Sequence, residues 1–213
     1  MSVKNRTVEF FERQFQQQAA ARDYNLNPFE RAVAPFVFGE VLDLGCGLGN
    51  LSIAAAADGC RVTALDASPA AIADLARRAE EQKLAIIARE ADLRNFAVEK
   101  QFDSVVAIGL FMFFPKEDAR QGLVRLKEWV RPGGIAAVNV LIHGTTYFGM
   151  FEPDGYYLFA EYELPESFTG WEVEYLQLDS FLAPGQTVKR FCTLVARRPE
   201  VDSIPAKPAD TED

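Results

Sequence analysis

The chain has 213 residues, 49% hydrophobic and 25% charged, which suits one soluble domain with a sizeable core and excludes a small disulfide-stapled scaffold. Against 22 basic residues stand 31 acidic ones, so the formal charge of −9 disfavours nucleic acid and anionic membrane surfaces as partners. Cys46, Cys60 and Cys192 form neither a CxxC pair nor an even-numbered framework, a pattern suited to a reducing compartment. Met1 to Arg6 holds no apolar signal core, so a cytoplasmic location is expected. Pro132 to Phe151 lacks Asp, Glu, Lys and Arg, yet Asn139, His143, Thr145, Thr146 and glycines interrupt it, unlike a membrane span.

From Val3 to about Arg22, Val8, Phe11 and Phe15 recur at helical spacing among polar residues, which predicts an amphipathic helix. Such a helix can cover an edge of the core or act as a lid over a pocket. Residues 25–38 read as a link with a brief helical turn. Beyond Gly39, short apolar strands alternate with helices: strand 41–44, helix 50–58, strand 61–65, helix 69–82, strand 85–88, strand 104–108, helix 116–130, and strand 136–141 after an Arg131-Pro132-Gly133-Gly134 stop. Trp171 to Leu178 and Thr187 to Ala196 alternate strongly around Ala183-Pro184-Gly185-Gln186, which predicts an antiparallel hairpin. The whole reads as an α/β, doubly wound, Rossmann-like sheet of seven strands, mostly parallel and closed by that C-terminal hairpin. One domain is expected over residues 1–198, with a helical cap over about 1–35. Residues 199–213, with three prolines, five acids and one lysine, are expected to form a disordered tail.

The first strand runs into Asp43-Leu44-Gly45-Cys46-Gly47-Leu48-Gly49 and then a helix. Glycines there let a ligand approach the backbone, and the helix start offers free N–H groups. Asp66 ends the next strand, at the spacing where an acid meets a ribose diol. A dinucleotide site asks for a third glycine where Asn50 stands, and Asp43 suits a cationic ammonium or sulfonium ligand better than a pyrophosphate. The run resembles motif I of the class I methyltransferases. That resemblance extends through Ala64-Leu65-Asp66-Ala67-Ser68-Pro69, Ala91-Asp92-Leu93, Phe102-Asp103-Ser104-Val105-Val106 and Arg131-Pro132-Gly133-Gly134, over roughly residues 38–142.

The resemblance implies S-adenosyl-L-methionine as cofactor and a small-molecule methyl acceptor as partner. It places Asp43 with Gly45, Cys46, Gly47 and Gly49 at the amino-acid end of the cofactor, Asp66 and Ala67 at the ribose, Asp92 and Leu93 beside the adenine, and Gly109 with Leu110 along the methionine side. Asp103, at the N-terminal end of its strand, reads as structural. Gly109 to Phe114, the aromatic run Tyr156 to Tyr162, Gly170-Trp171-Glu172 and Arg190 to Arg197 are similar to the tellurite-resistance methyltransferase family, which implies a soft sulfur, selenium or tellurium nucleophile. Ser180 to Pro184 stands where that family carries a His-Arg pair. An oxygen or nitrogen acceptor, or a cofactor-binding module without catalysis, are the alternatives.

Phe111, Tyr147 and Phe148 are expected to line the acceptor side, with at most two of residues 111–114 facing the ligand. Cys46 reads as a small buried residue. The only histidine, His143, lies just past the fifth strand and is the candidate general base; no metal site is expected. No Lys or Arg falls between Arg131 and Lys189, whereas that span holds eight acids and many aromatics. An acceptor wall built from it would favour neutral, apolar or cationic thiols over tellurite, unless Arg6, Arg13 or Arg22 of the N-terminal helix supplied cations.

Overall fold

The computed structural model describes residues 6–94 and 96–200. The N-terminal helix α1 is Arg6–Ala21; the start expected at Val3 lies outside the described residues, as do residues 201–213 of the expected tail. The brief helical turn is α2, Pro28–Val33, continued by a 3-10 turn, Ala34–Phe36. Pro28 at the first helical position and a reciprocal capping box fix α2: Asn27 Oδ1 accepts from the amides of Phe29 and Glu30, and Glu30 Oε2 accepts from the Asn27 amide.

The strands are β1 (Glu40–Leu44), β2 (Arg61–Asp66), β3 (Ile86–Glu90), β4 (Phe102–Ile108), β5 (Val130–Leu141), β6 (Glu172–Ala183) and β7 (Thr187–Arg197). Helices α3 (Asn50–Ala57), α4 (Pro69–Glu81) and α5 (Lys116–Trp129) provide the crossovers. The sheet order is β3-β2-β1-β4-β5-β7-β6, with β7 antiparallel to β5 and β6 antiparallel to β7. The doubly wound sheet with its C-terminal hairpin is therefore as the alternation implies. The order reverses between β1 and β4, so a crevice opens beyond the carboxyl ends of those strands.

Three local expectations change. Arg131 to Gly134 is not a stop before β5 but lies inside it, as an irregularity that moves the register from Phe102↔Val130 to Ser104↔Ile135. β6 runs to Ala183, because the tight turn over Pro184–Gln186 keeps the strands paired through Ala183↔Thr187. A short helix, α6 (Glu163–Ser167), follows the aromatic run Tyr156 to Tyr162 between β5 and β6, where no element was expected. Five residues are too few to display a helical period.

Strand alternation splits the core between the two faces. Leu42, Val105, Ala107, Ala136 and Val138 pack with α5 and the 159–168 region, and Val41, Val106, Ile135, Ala137 and Val195 pack with α2, α3 and α4. By the same parity Asp43 on β1, Asn139 and Leu141 on β5, and Lys189, Phe191 and Thr193 on β7 share the second face. That face carries the functional site.

Candidate active site

A cleft of about 1370 Å³ opens at the carboxyl ends of β1 to β5. Gly45, Cys46 and Gly47 form its floor, and the loop is stitched to β2: the amides of Gly45 and Cys46 donate to the Leu65 carbonyl at 2.8 and 3.0 Å. Asp66 Oδ2 accepts from the Gly47 amide and Oδ1 from the Ser68 amide, both at 2.8 Å. Burial raises the pKa of this carboxyl, against the opposing pull of the Ser68, Gly47 and Ala67 amides, and Glu12 raises it further. Each carboxylate oxygen keeps a lone pair for a further donor. Asp66, Ala67, Asp92, Leu93, Gly109 and Leu110 all line the cleft. Asp92 is also clasped by Arg94, whose Nε and Nη2 donate to it at 3.1 Å.

Two residues of the glycine run stand elsewhere. Gly49 does not line the cleft; a Cβ there would meet Leu75 of α4 at 2.5 Å, and its φ of +68° is one that side chains rarely adopt, so this glycine serves helix packing. Asp43 is buried beneath the loop, away from the lining, with Oδ2 accepting from Ser52 Oγ at 2.6 Å. Burial pushes its carboxyl up to about 6, partly offset by Ser52 and reinforced by Asp66. Cys46 is buried, and desolvation pushes its thiol well above the usual thiol range, with Asp43 and Asp66 adding to the effect. Such a thiol stays protonated and is a poor nucleophile.

Helix α1 forms the roof. Val8, Phe11, Glu12, Phe15 and Gln18 line the cleft; the Phe15 ring lies on Gly47, Phe11 meets Phe113 edge-on at 5.0 Å, and Glu12 accepts from the Ser68 hydroxyl. Of the two roles open to α1, it takes that of a cover over the pocket.

The acceptor side differs most from expectation. His143 is exposed and does not line the cleft; its amide donates to the Phe159 carbonyl and its carbonyl accepts from Arg190. Phe111 is buried against Gly122 in the core on the other face of the sheet. Tyr147 and Phe148 lie outside the lining: Phe148 packs with Phe151 and Tyr156, and Tyr147 sits beneath Lys189 Nζ at 4.5 Å. Met112, Phe113 and Phe114 line the cleft, three of the four residues where two at most were expected. Phe111-Met112-Phe113-Phe114 wraps a 3-10 turn, Phe111–Phe113, which turns Phe111 into the core and its successors toward the cleft.

Of the eight acids between Arg131 and Lys189, only Glu152 and Asp154 line the cleft; Glu161, Glu163 and Glu174 pair with Arg190, Arg120 and Arg197. Arg13 and Arg22 do not reach it, and the Arg6 side chain lies outside the described part. Among the described residues the cations of the cleft are Arg94 and Lys189.

Sequence reasoning missed Phe29, Glu30, Asn139, Lys189 and Phe191, all in the lining, whereas Met150, from the stretch expected to wall the acceptor side, does line the cleft. Burial pushes Glu30 up to about 7, against the Asn27 amide and with Asp43 reinforcing. Strand parity on β5 and β7 carried a signal for Asn139, Lys189 and Phe191, but only with the pairing Leu141↔Phe191 and Asn139↔Thr193 in hand. Among the described residues no group of three His, Cys, Asp or Glu side chains is placed to hold a metal ion, and no helix is long and apolar enough to cross a membrane.

Residues 41–134 match the family described as methyltransferase domain, and a sheet of this order, with a glycine loop held to an acid at the end of β2, is the fold of the class I S-adenosylmethionine-dependent methyltransferases. Within that class the protein resembles TehB. It is 30% identical over 166 residues to the probable S-adenosyl-L-methionine-dependent methyltransferase TehB of Haemophilus influenzae, covering 75% of this chain and 57% of that one. The crystal structure of TehB from Haemophilus influenzae superposes with a TM-score of 0.72 at 24% identity, over 85% of this chain and 65% of that one. Hemagglutinin 1 of Eikenella corrodens is 27% identical over 166 residues, covering 75% of this chain and 55% of that one. The chain thus spans little more than half the length of these curated relatives.

Proposed function

We propose that this protein methylates a small-molecule acceptor at a soft sulfur, selenium or tellurium atom, in the cytoplasm and without a nucleic-acid partner. The observation that carries the methyl-transfer reading is the Gly47 amide bonded to Asp66, within a cleft continuous from the glycine loop to β7. Asp66 would hold the ribose hydroxyls, Asp92 and Leu93 would border the adenine, and Gly45 to Gly47 would carry the amino-acid end of the cofactor. Glu30 and Asp43 would attract its ammonium group, Glu30 from the lining and Asp43 from beneath the loop. S-adenosylmethionine supplies an activated methyl group on a sulfonium. The chain's own task is to aim the acceptor and exclude water, which α1 does with Phe11 and Phe15. The acceptor lone pair would take that methyl group from the bound sulfonium, which would leave as the neutral thioether, and an acceptor proton would pass to solvent.

The soft-nucleophile reading rests on TehB similarity and on a thioether- and aromatic-rich lining around Met112, Phe113, Met150 and Phe191. An oxygen or nitrogen acceptor is the second reading, and Glu30 favours it. A carboxyl with a pKa of about 7 in the cleft is matched to proton transfer at neutral pH. To decide, the purified protein is incubated with labelled cofactor and a panel of thiols, selenite, tellurite and phenols, and adenosylhomocysteine is measured. Turnover with thiols at saturating cofactor that survives Glu30→Gln supports the soft reading. Turnover with phenols that Glu30→Gln abolishes replaces it, and cofactor binding without turnover on the whole panel makes the protein a binding module.

A further inference from the structure

On the face shared by β5 and β7, Asn139, Leu141, Phe191 and Lys189 descend in order from the sheet interior to the rim of the cleft. Asn139 is fully buried beside the start of the glycine turn after β4, where its carbonyl accepts from the Gly109 amide. Its Nδ2 donates to Thr193 Oγ1 at 2.9 Å, but its Oδ1 has no partner among the described residues. A buried amide oxygen left unmet is costly, so a ligand that donates to it is favoured. Lys189, half-buried, lies over the Tyr147 ring with no carboxylate paired to it among the described residues. Burial alone lowers its pKa. A desolvated ammonium without a counter-ion favours an anion beside it.

Along β7, Lys189 and Thr193 are four residues apart, about 14 Å at the usual strand rise. Phe191 lies midway, paired with Leu141 and packed on Phe29 at 4.4 Å, with Met112 and Met150 in the same cluster. The polar ends are therefore separated by an apolar bed.

We propose that this strip is the acceptor subsite, and that it takes a small aryl or alkyl monocarboxylate whose far end carries the nucleophilic X–H group: the carboxylate pairs with Lys189, the body lies on Phe191 and Leu141, and the X–H donates to Asn139 Oδ1. The inference rests on the methyltransferase reading for the identity of X–H as acceptor, but the binding itself does not. One ammonium matches one negative charge, because the cleft's other described cation, Arg94, is clasped by Asp92. Glu9, Glu12 and Asp154 in the same lining disfavour a dianion.

The test measures binding by calorimetry with para-(sulfanylmethyl)benzoate and its neutral counterpart para-methylbenzyl thiol, to the full chain with S-adenosylhomocysteine present. The wild type binds the carboxylate probe roughly tenfold or more tighter, as expected for one charge-assisted hydrogen bond. In Lys189→Met the two probes bind alike, and Lys189→Arg restores the preference, with thermal melting to confirm that each variant is folded. In Asn139→Leu, para-(hydroxymethyl)benzoate loses its advantage over para-ethylbenzoate. Equal affinities in the wild type, a preference that persists in Lys189→Met, or no measurable binding of the carboxylate probe overturns the subsite. Formation of adenosylhomocysteine from labelled cofactor is followed in parallel. Lys189-dependent binding without methyl transfer sinks the methyltransferase reading and leaves the subsite, whereas methylation of the neutral thiol with no Lys189 dependence does the reverse.

Discussion

At Asp66, Oδ2 holds the glycine loop through the Gly47 amide and Oδ1 holds the start of α4 through the Ser68 amide; the same oxygens would also receive the ribose hydroxyls, so the residue couples loop shape to ligand affinity. Asp66→Ala is expected to weaken S-adenosylmethionine about 10- to 150-fold, the worth of charge-assisted hydrogen bonds, while lowering the melting temperature by only a few degrees. Calorimetry that shows an unchanged dissociation constant would remove Asp66 from the site. Glu30 makes a prediction about pH. Its carboxyl is raised from 4.5 to about 7, so between those values the folded protein holds a proton that the unfolded chain has released. Stability must then fall as pH rises through that window, and Asp43, raised from 3.8 to about 6, adds to the fall at its lower end. Glu30→Gln keeps the capping box, since glutamine can reach the same Asn27 amide. It should therefore melt higher than the wild type at pH 7.5 and show a flatter profile between pH 5 and 7. A profile unchanged by the substitution would mean that Glu30 titrates normally.

At the scale of elements, α1 and the glycine loop act as one unit. A Cβ on Gly47 would meet the Phe15 ring at 2.9 Å, and its φ of +52° already disfavours a side chain. Gly47→Val should abolish cofactor binding and also lift α1, visible as faster proteolysis between residues 6 and 21. Gly47→Ala combined with Phe15→Ala relieves the clash but not the backbone strain, so cofactor binding should recover only in part. Full binding in a folded Gly47→Val protein would show that the ligand sits elsewhere.

For the molecule as a whole, the two ends of the sheet divide the work. At the N-terminal ends of the strands, opposite the cleft, Asp103 accepts from the Glu40 amide at 2.7 Å and from Arg131 at 2.7 Å, and Glu40 gathers Arg61, Lys100 and Arg131. Most of these pairs are exposed and contribute little, but the carboxylate bonded to backbone holds the starts of β1 and β4 together. Asp103→Ala should cost about 1 to 3 kcal/mol of stability by denaturant unfolding. It should leave cofactor affinity within about twofold, because ligands gather at the opposite ends of the strands. A large loss of affinity would mean that the two ends are coupled through β4.

The sequence by itself determined the alternation of strands and helices, the strand-to-helix glycine loop and the acid at the end of the second strand. Each of these is written in consecutive residues: apolar runs, a Gly45-x-Gly47 turn, Ser68-Pro69 as a helix start. It also separated Asp103 from the ligand end of the sheet, because strand direction follows from the crossovers. The acceptor side had no such local record. Asn139 and Lys189 are fifty residues apart and come to share one face of the cleft only because β7 enters antiparallel beside β5 in one register. A slip of β7 by one residue would turn Lys189 to the opposite face from Asn139. The same pairing leaves His143 exposed beyond the end of β5, whereas a 3-10 turn buries Phe111 and the 147–159 loop packs its aromatics on one another. Aromatic and charged residues in a loop declare their chemistry in the sequence. Which of them meets the ligand is decided by packing, since burial rewards any face that excludes water and does not distinguish a pocket from a core.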